Sequence, residues 1–177
     1  MKPCFFFDRD GIVNESPGPG KYVESWDDFH LQPGFVRVLR RVTGLGFASV
    51  IITNQRCVAL GRLSVRNLEA MHDRFRSVLR ESHGLAVNDV FYCPHDNGQC
   101  ECRKPKPGMI LAAARRHGLD LAASWMVGDS ASDVAAGQAA GCRTVLVGPR
   151  PGGCSPTLAV ESLEALDSLI AEGRLVV

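Results

Sequence analysis

Short apolar runs at Cys4–Phe7, Ala48–Thr53, Val87–Tyr92, Trp125–Val127 and Thr144–Val147 alternate along the chain with stretches of helical periodicity. Such runs, bounded by turn signals and partly β-branched, read as buried strands. Between them Phe35, Val38, Leu39 and Val42 form one helical stripe. Leu68, Met71, Phe75, Val78 and Leu79 form another, behind an N-cap at Ser64. Met109–Leu119 follows Pro107, which suits a first helical position, and Ser132–Ala140 and Leu163–Ile170 complete the set. Strand and helix in alternation predict βαβ units, hence a mostly parallel central sheet covered on both faces: a three-layer α/β/α, Rossmann-like domain. Right-handed crossovers bring every strand's carboxyl end to the same edge. Asp8, Thr53, Cys93–Lys104 and Asp129 therefore fall on the rim where open α/β sheets bind ligands.

At 177 residues the chain fits one domain, 1–177, with no linker rich enough in Gly, Ser or Pro to divide it. A formal net charge of +1 gives no general electrostatic footprint for nucleic acid or an anionic membrane. No apolar run nears the roughly 20 residues that span a bilayer, and acids interrupt the Phe-rich start before it can form a secretory leader. A cytoplasmic monomer acting on a small molecule is expected. The seven cysteines are an odd number, and three of them crowd into Cys93–Cys102. In a cytosolic chain that points to metal ligation before a disulfide framework.

The first strand ends in Asp8-Arg9-Asp10-Gly11. Two carboxylates held so close repel each other, so the site wants a cation, a shared proton or both. Thr53-Asn54 ends the second strand with a hydroxyl followed by backbone amides, a combination that suits a phosphate oxygen. Arg103-Lys104-Pro105-Lys106-Pro107-Gly108 is a basic loop stiffened by prolines, and it leads into a helix N-terminus, where anions are favoured. Val127-Gly128-Asp129 ends the fourth strand, and Asp129 can reach a cation shared with Asp8. Asp133 is open between metal ligand and helix cap. Cys93, His95, Cys100 and Cys102 supply a Cys3His set suited to closed, tetrahedral, structural Zn2+. Arg103 and Lys104 follow the last of those ligands directly. The remaining cysteines read as packing or surface residues, and His30, His72, His83 and His117 carry no spacing that suggests a site.

Taken in this order, Asp-x-Asp-Gly, Thr-Asn, the lysine loop and Gly-Asp-x-x-x-Asp resemble the haloacid dehalogenase (HAD) superfamily of aspartyl phosphotransferases over essentially the whole chain. The resemblance implies that Asp8 attacks phosphorus to form a phosphoaspartate, and that Asp10 acts first as general acid and then as base. It implies Mg2+ on the Asp8 carboxylate, the Asp10 backbone carbonyl and Asp129. Thr53, the Asn54 backbone and Lys104 would then hold the equatorial phosphoryl oxygens. The spacing from Thr53 to Lys104 leaves room for a helix, a strand and the zinc loop, but for no separate cap domain. Only Asn14–Pro33 remains as a flap, where Lys21, Tyr22 and Trp26 can touch substrate.

Cys-x-His-x4-Cys-x-Cys-Arg-Lys-Pro, joined to Asp-Arg-Asp-Gly and Thr-Asn-Gln, is similar to the heptose 1,7-bisphosphate 7-phosphatases and the related histidinol-phosphatases. Asp8–Asn14 and Arg103–Met109 lean toward the heptose branch, which serves nucleotide-activated heptose and lipopolysaccharide synthesis. By that resemblance Arg103 meets the substrate at its distal phosphate, as a bidentate fork. One stretch departs from the branch. Where it commonly reads Ser-Gly-Ile-Ala-Arg-Gly, this chain has Arg56-Cys57-Val58-Ala59-Leu60-Gly61. Arg56 is thus a substrate-binding candidate, with its replacement of the arginine that Leu60 displaces left open, and a shifted cation on this loop would bear on sugar and anomer preference.

Overall fold

A computed structural model describes residues 1–175. Its strands are β1 (Lys2–Phe7), β2 (Ala48–Asn54), β3 (Asp89–Cys93), β4 (Leu119–Gly128), β5 (Arg143–Val147) and β6 (Leu158–Val160). Its helices are α1 (Pro33–Gly44), α2 (Arg56–Ala59), α3 (Val65–His83), α4 (Gly108–His117), α5 (Ala131–Ala139) and α6 (Leu163–Ala171). The strands form one sheet in the order β3-β2-β1-β4-β5-β6, and every pairing is parallel.

The layers follow from β1. Successive side chains leave opposite faces of a strand, so a strand covered on both sides must be apolar throughout. Phe5 and Phe7 enter one core with Phe35 and Leu39 of α1, Leu68 and Phe75 of α3 and Leu166 of α6. Cys4 and Phe6 enter the other with Ile110 and Ala113 of α4 and Ala136 of α5. Helices on both faces of a parallel sheet give the three layers expected.

Local chemistry sets the element ends. Ser64 Oγ accepts from the Asn67 amide at 3.1 Å to open α3, and Gly84 closes that helix in the left-handed conformation at φ 63°. Pro107 departs from expectation: it caps α4 with φ −84° and ψ 3° and is not its first residue. Gly118, left-handed at φ 61°, stops α4, so Leu119 opens β4 where a helix end was expected. That strand is accordingly longer than Trp125–Val127. It bulges against β1 between Pro3 and Phe5, where the Cys4 amide donates to Ser124 Oγ at 2.9 Å. The short α2 and β6 carried too few apolar residues to be read from periodicity.

Chain order along the sheet reverses at β1, which has β2 on one side and β4 on the other. Asp8 and Asp129 therefore leave neighbouring strands at the switch point, where such sheets open a crevice. Residues 8–32 carry only isolated bridges, Asp10–Asn14 and Asn14–Leu31, and among the described residues no second sheet stands over the strand ends. Within this flap Trp26 stacks on Phe29 at 5.1 Å and lies under the Arg74 guanidinium of α3 at 4.7 Å. Trp26 thus fastens the flap to α3. Among the described residues no helix is long and apolar enough to cross a membrane.

Candidate active site

Three loops converge at the switch point. The Asp8 amide donates to the Val127 carbonyl at 2.9 Å, which extends the β1–β4 pairing by one bond and fixes where the Asp8 side chain starts. Lys104 arrives from the loop after β3 and is almost wholly buried, its ammonium 2.7 Å from Asp8 Oδ1, 2.5 Å from Asp133 Oδ1 and 3.0 Å from the Ile52 carbonyl. Asn54 holds that loop like a short piece of ladder. Its Oδ1 accepts from the Lys104 amide and its Nδ2 donates to the Lys104 carbonyl, both at 3.0 Å. Asp129 enters from the end of β4, over Gly11. A Cβ on Gly11 would lie 1.9 Å from Asp129 Oδ2, and the residue's φ of +94° also suits only glycine.

Electrostatics explain what the cluster lacks. Asp8, Asp129 and Asp133 each offer an oxygen within 4.8 Å of the others, with one ammonium among them. Burial pushes the Asp8 carboxyl up to about 8, with Asp133's charge adding to the rise and Lys104 opposing it. Burial likewise pushes Asp129 up to about 6, again with Asp133 adding and Lys104 opposing. A divalent cation between Asp8 and Asp129 would relieve both, and Mg2+ favours sites with few carboxylates that keep room for water and phosphate oxygens. The residues fit Mg2+. Asp133 has no oxygen to spare for it: Oδ1 takes Lys104, while Oδ2 accepts from the Ser130 amide at 3.1 Å and hydroxyl at 2.6 Å. It is both the N3 half of the capping box that Ser130 opens at α5 and the second anchor of Lys104.

Asp10 faces a different set. Its Oδ1 accepts from Arg9 and from Asn14 Nδ2 at 3.0 Å, and its Oδ2 accepts from Gln55 Nε2 at 3.1 Å. The same Gln55 nitrogen donates to Thr53 Oγ1 at 2.8 Å. With its oxygen lone pair so engaged, the Thr53 hydroxyl is left to donate, as a phosphate oxygen requires.

The second cluster is local. Cys93 Sγ lies 3.4 Å from Cys100 Sγ and 3.6 Å from His95 Nδ1; Cys102 Sγ lies 3.2 Å from Cys100 Sγ and 3.4 Å from His95 Nδ1. Tetrahedral zinc bonds imply ligand separations of about 3.6–3.8 Å, so the Cys3His set is nearly closed on a zinc-sized space. Against partial desolvation, hydrogen bonds from Cys102, the Arg103 amide and Cys93 draw the Cys100 thiol down to about 6, toward the thiolate a metal binds. Two arginines brace this loop. Arg56 Nε donates to Asp96 Oδ1 at 2.6 Å, and Arg103 Nε donates to Asn97 Oδ1 at 2.9 Å.

Sequence spacing therefore led to Asp8, Asp10, Thr53, Asn54, Lys104, Asp129 and the four zinc candidates, all on one rim. It left Arg9, Gln55, His72 and the anchoring role of Asp133 unread. Gln55 lies in the Thr-Asn-Gln segment, whose pattern alone assigns it no task, and Asp133's i+3 spacing from Ser130 is a capping-box signal. Arg9 and His72 gave no such sign, because the contact between them spans 63 residues of sequence.

A HAD-hydrolase-like family model matches residues 101–164, which hold the lysine loop and the Gly-Asp segment. The chain is 39% identical over 148 residues to the D-glycero-beta-D-manno-heptose-1,7-bisphosphate 7-phosphatase of Pseudomonas aeruginosa, covering 82% of this chain and 81% of that one. It is 35% identical over 144 residues to the D-glycero-alpha-D-manno-heptose-1,7-bisphosphate 7-phosphatase of Photorhabdus laumondii, covering 77% and 76%. The crystal structure of a D,D-heptose 1,7-bisphosphate phosphatase from B. bronchiseptica, complexed with magnesium and phosphate, superposes with a TM-score of 0.83 at 34% identity, covering 98% of this chain and 99% of that one. Fold, rim and sequence agree, and the chain belongs to the heptose-1,7-bisphosphate 7-phosphatase family of HAD-like hydrolases.

Proposed function

We propose that this chain removes the 7-phosphate of D-glycero-D-manno-heptose 1,7-bisphosphate, with Mg2+, leaving the 1-phosphate. The observation that carries the reading is the convergence of Asp8, Lys104 and Asp129 at the switch point, in a chain whose relatives are phosphatases of that sugar. An Asp8 oxygen bonds to phosphorus as the ester bond to the sugar oxygen breaks, which gives a phosphoaspartate. Asp10 passes its proton to the departing oxygen, then takes one from the water that attacks phosphorus and releases the Asp8 carboxylate. Thr53, the Asn54 backbone and Lys104 hold the equatorial oxygens through both steps. Bound Mg2+, on Asp8, Asp129 and the Asp10 carbonyl, would neutralise part of the phosphoryl charge. Zn2+ on Cys93, His95, Cys100 and Cys102 is structural in this reading, since four protein donors leave no open position.

Arg103 and Arg56 both reach the His95–Asn97 segment, so two guanidinium groups stand beside one stretch of the zinc loop. They form the end of the site that meets the distal phosphate. In this reading the chain, 1–177, is one catalytic unit and a cytoplasmic monomer; its near-balanced charge gives no footprint for nucleic acid or an anionic membrane, and light scattering tests the monomer directly.

The test is phosphate release from both heptose bisphosphate anomers, fructose 1,6-bisphosphate and histidinol phosphate, with and without Mg2+. Fastest Mg2+-dependent release from a heptose bisphosphate is expected, and the leading anomer assigns the branch. Release from histidinol phosphate alone would move the chain to the related histidinol-phosphatases. No release from any of them by folded protein would reject the reading.

A further inference from the structure

Arg9 is a charged side chain only 1% exposed, and its guanidinium is divided between two partners. Nε and NH2 donate to Asp10 Oδ1 at 3.2 and 3.0 Å, and NH2 also reaches Asp10 Oδ2 at 3.1 Å. NH1 turns the other way and meets His72 Nε2 at 3.2 Å. His72 belongs to α3, on the face that carries Leu68, Met71, Phe75 and Leu79, where an apolar residue would pack more simply. It is 5% exposed, and its ring lies 5.8 Å from that of Tyr92. Desolvation, and then the charge of Arg9, hold its pKa down at about 3. The imidazole is therefore neutral and Nε2 is an acceptor, the one group a buried NH1 needs.

We infer that His72 and Arg9 are positioning residues for the acid/base, a relay from α3 that fixes which oxygen of Asp10 delivers the proton. Oδ1 is saturated by Arg9 Nε, Arg9 NH2 and Asn14 Nδ2. Oδ2 takes Gln55 and only a shared contact from NH2, and Gln55 ties that oxygen to Thr53 at the phosphate-binding end of β2. With Oδ1 taken by three donors, Oδ2 is the oxygen left to deliver the proton in this inference. As the Asp8 oxygen–phosphorus bond forms and the phosphorus–leaving oxygen bond breaks, the proton moves to the leaving oxygen. Without an acceptor on α3, NH1 is left buried and unsatisfied, which is reason enough for the guanidinium to turn and take Asp10 with it.

The inference rests on the phosphatase reading, and the leaving group separates the two. A sugar alkoxide needs the proton as it departs, whereas the nitrophenolate of p-nitrophenyl phosphate leaves without it. His72→Leu removes the acceptor at similar volume. It is expected to lower kcat/KM for the heptose bisphosphate by about tenfold to a hundredfold, part of what a general acid contributes, while kcat/KM for the aryl phosphate, which reads only the steps up to phosphoenzyme formation, stays within about threefold. His72→Gln, whose amide oxygen can stand where Nε2 stood, should restore most of the loss. Should the leucine variant fail to fold, His72→Asn, too short to reach Arg9, takes its place. Equal losses in kcat/KM on both substrates, or no loss on either, would overturn the inference. A wild-type protein that hydrolyses neither would instead reject the phosphatase reading.

Discussion

The two metal-binding clusters of this chain are assembled by opposite means. Asp8, Lys104, Asp129 and Asp133 come from loops after β1, β3 and β4 and from α5, and they meet only because a parallel sheet returns its strand ends to one edge. The zinc candidates lie within ten residues of sequence, Cys93–Cys102, where only Cys93 is buried. The first is built by the fold and is held without metal by a buried ammonium between two carboxylates. The second has no such internal counter-ion; Arg56 and Arg103 brace its loop from outside, and bound zinc would add the central link. The catalytic cluster thus sits at the sheet edge and rests against a loop that bound zinc would tie together.

The largest effect expected from the fold-built cluster is on turnover. Asp8→Asn should reduce phosphate release by on the order of 10⁴-fold or more, with no phosphoenzyme trapped. It should leave stability equal or raised, because it removes a buried charge that repels Asp133. The sign of the pH effect follows. Asp8 is raised in the folded state from 3.8 to about 8, so in metal-free protein its contribution favours folding at low pH and is lost as pH rises between those values. That fall should be shallower in Asp8→Asn, measured by denaturant titration across the range. Lys104→Met comes next. Removing the ammonium leaves Asp8 and Asp133 facing each other in a buried site, and about 3–5 kcal/mol of stability should go with it. A loss under about 1 kcal/mol would mean that the acids simply take up protons.

The same contrast explains what could be read in advance. Alternating apolar runs made the sheet and its rim legible, and the zinc ligands could be counted because their spacing is local. Asp133 was the harder case. Its capping signal is local, but its bond to Lys104 exists only after β3 and β4 have been placed on either side of β2 and β1. Arg9 and His72 were illegible for the same reason, since a hydrogen bond between a β1 loop and the face of α3 leaves no periodic trace. Length limited the rest: β6 is three residues long and follows a turn-rich stretch, and β4 begins directly after a glycine that ends a helix.

Removing each metal separately should pull the two clusters apart. Withdrawing Mg2+ should abolish turnover and lower the melting temperature less than zinc removal does, because Lys104 already neutralises part of the site and the ion adds only its mass-action contribution. Withdrawing zinc, or making Cys100→Ser, should cost a few kcal/mol, which for a chain of this size is roughly 5–10 °C in Tm. Activity should fall with it, since Arg103 and Lys104 begin where the ligands end. Equal melting temperatures with and without zinc would show that the loop orders itself, and the contrast between the clusters would fail.

The smallest effect belongs to the pair that joins substrate end and zinc loop. Arg56 and Asp96 are bonded at 2.6 Å but are about a third exposed, so solvent screens them and the pair contributes no more than ~1 kcal/mol to stability. Their importance lies in where they hold a guanidinium. Arg56 is turned toward the loop that Arg103 braces, and it is the cation proposed for the distal phosphate. Arg56→Ala should therefore raise KM for the bisphosphate by about tenfold, the value of one charge-assisted hydrogen bond, with kcat little changed. For p-nitrophenyl phosphate, which has no second phosphate, KM should not move. A rise in KM for both substrates would place Arg56 at the transferred phosphoryl group instead. No change for either would leave it as a strut for the zinc loop, and a drop in Tm once zinc is removed from the variant would identify it as such.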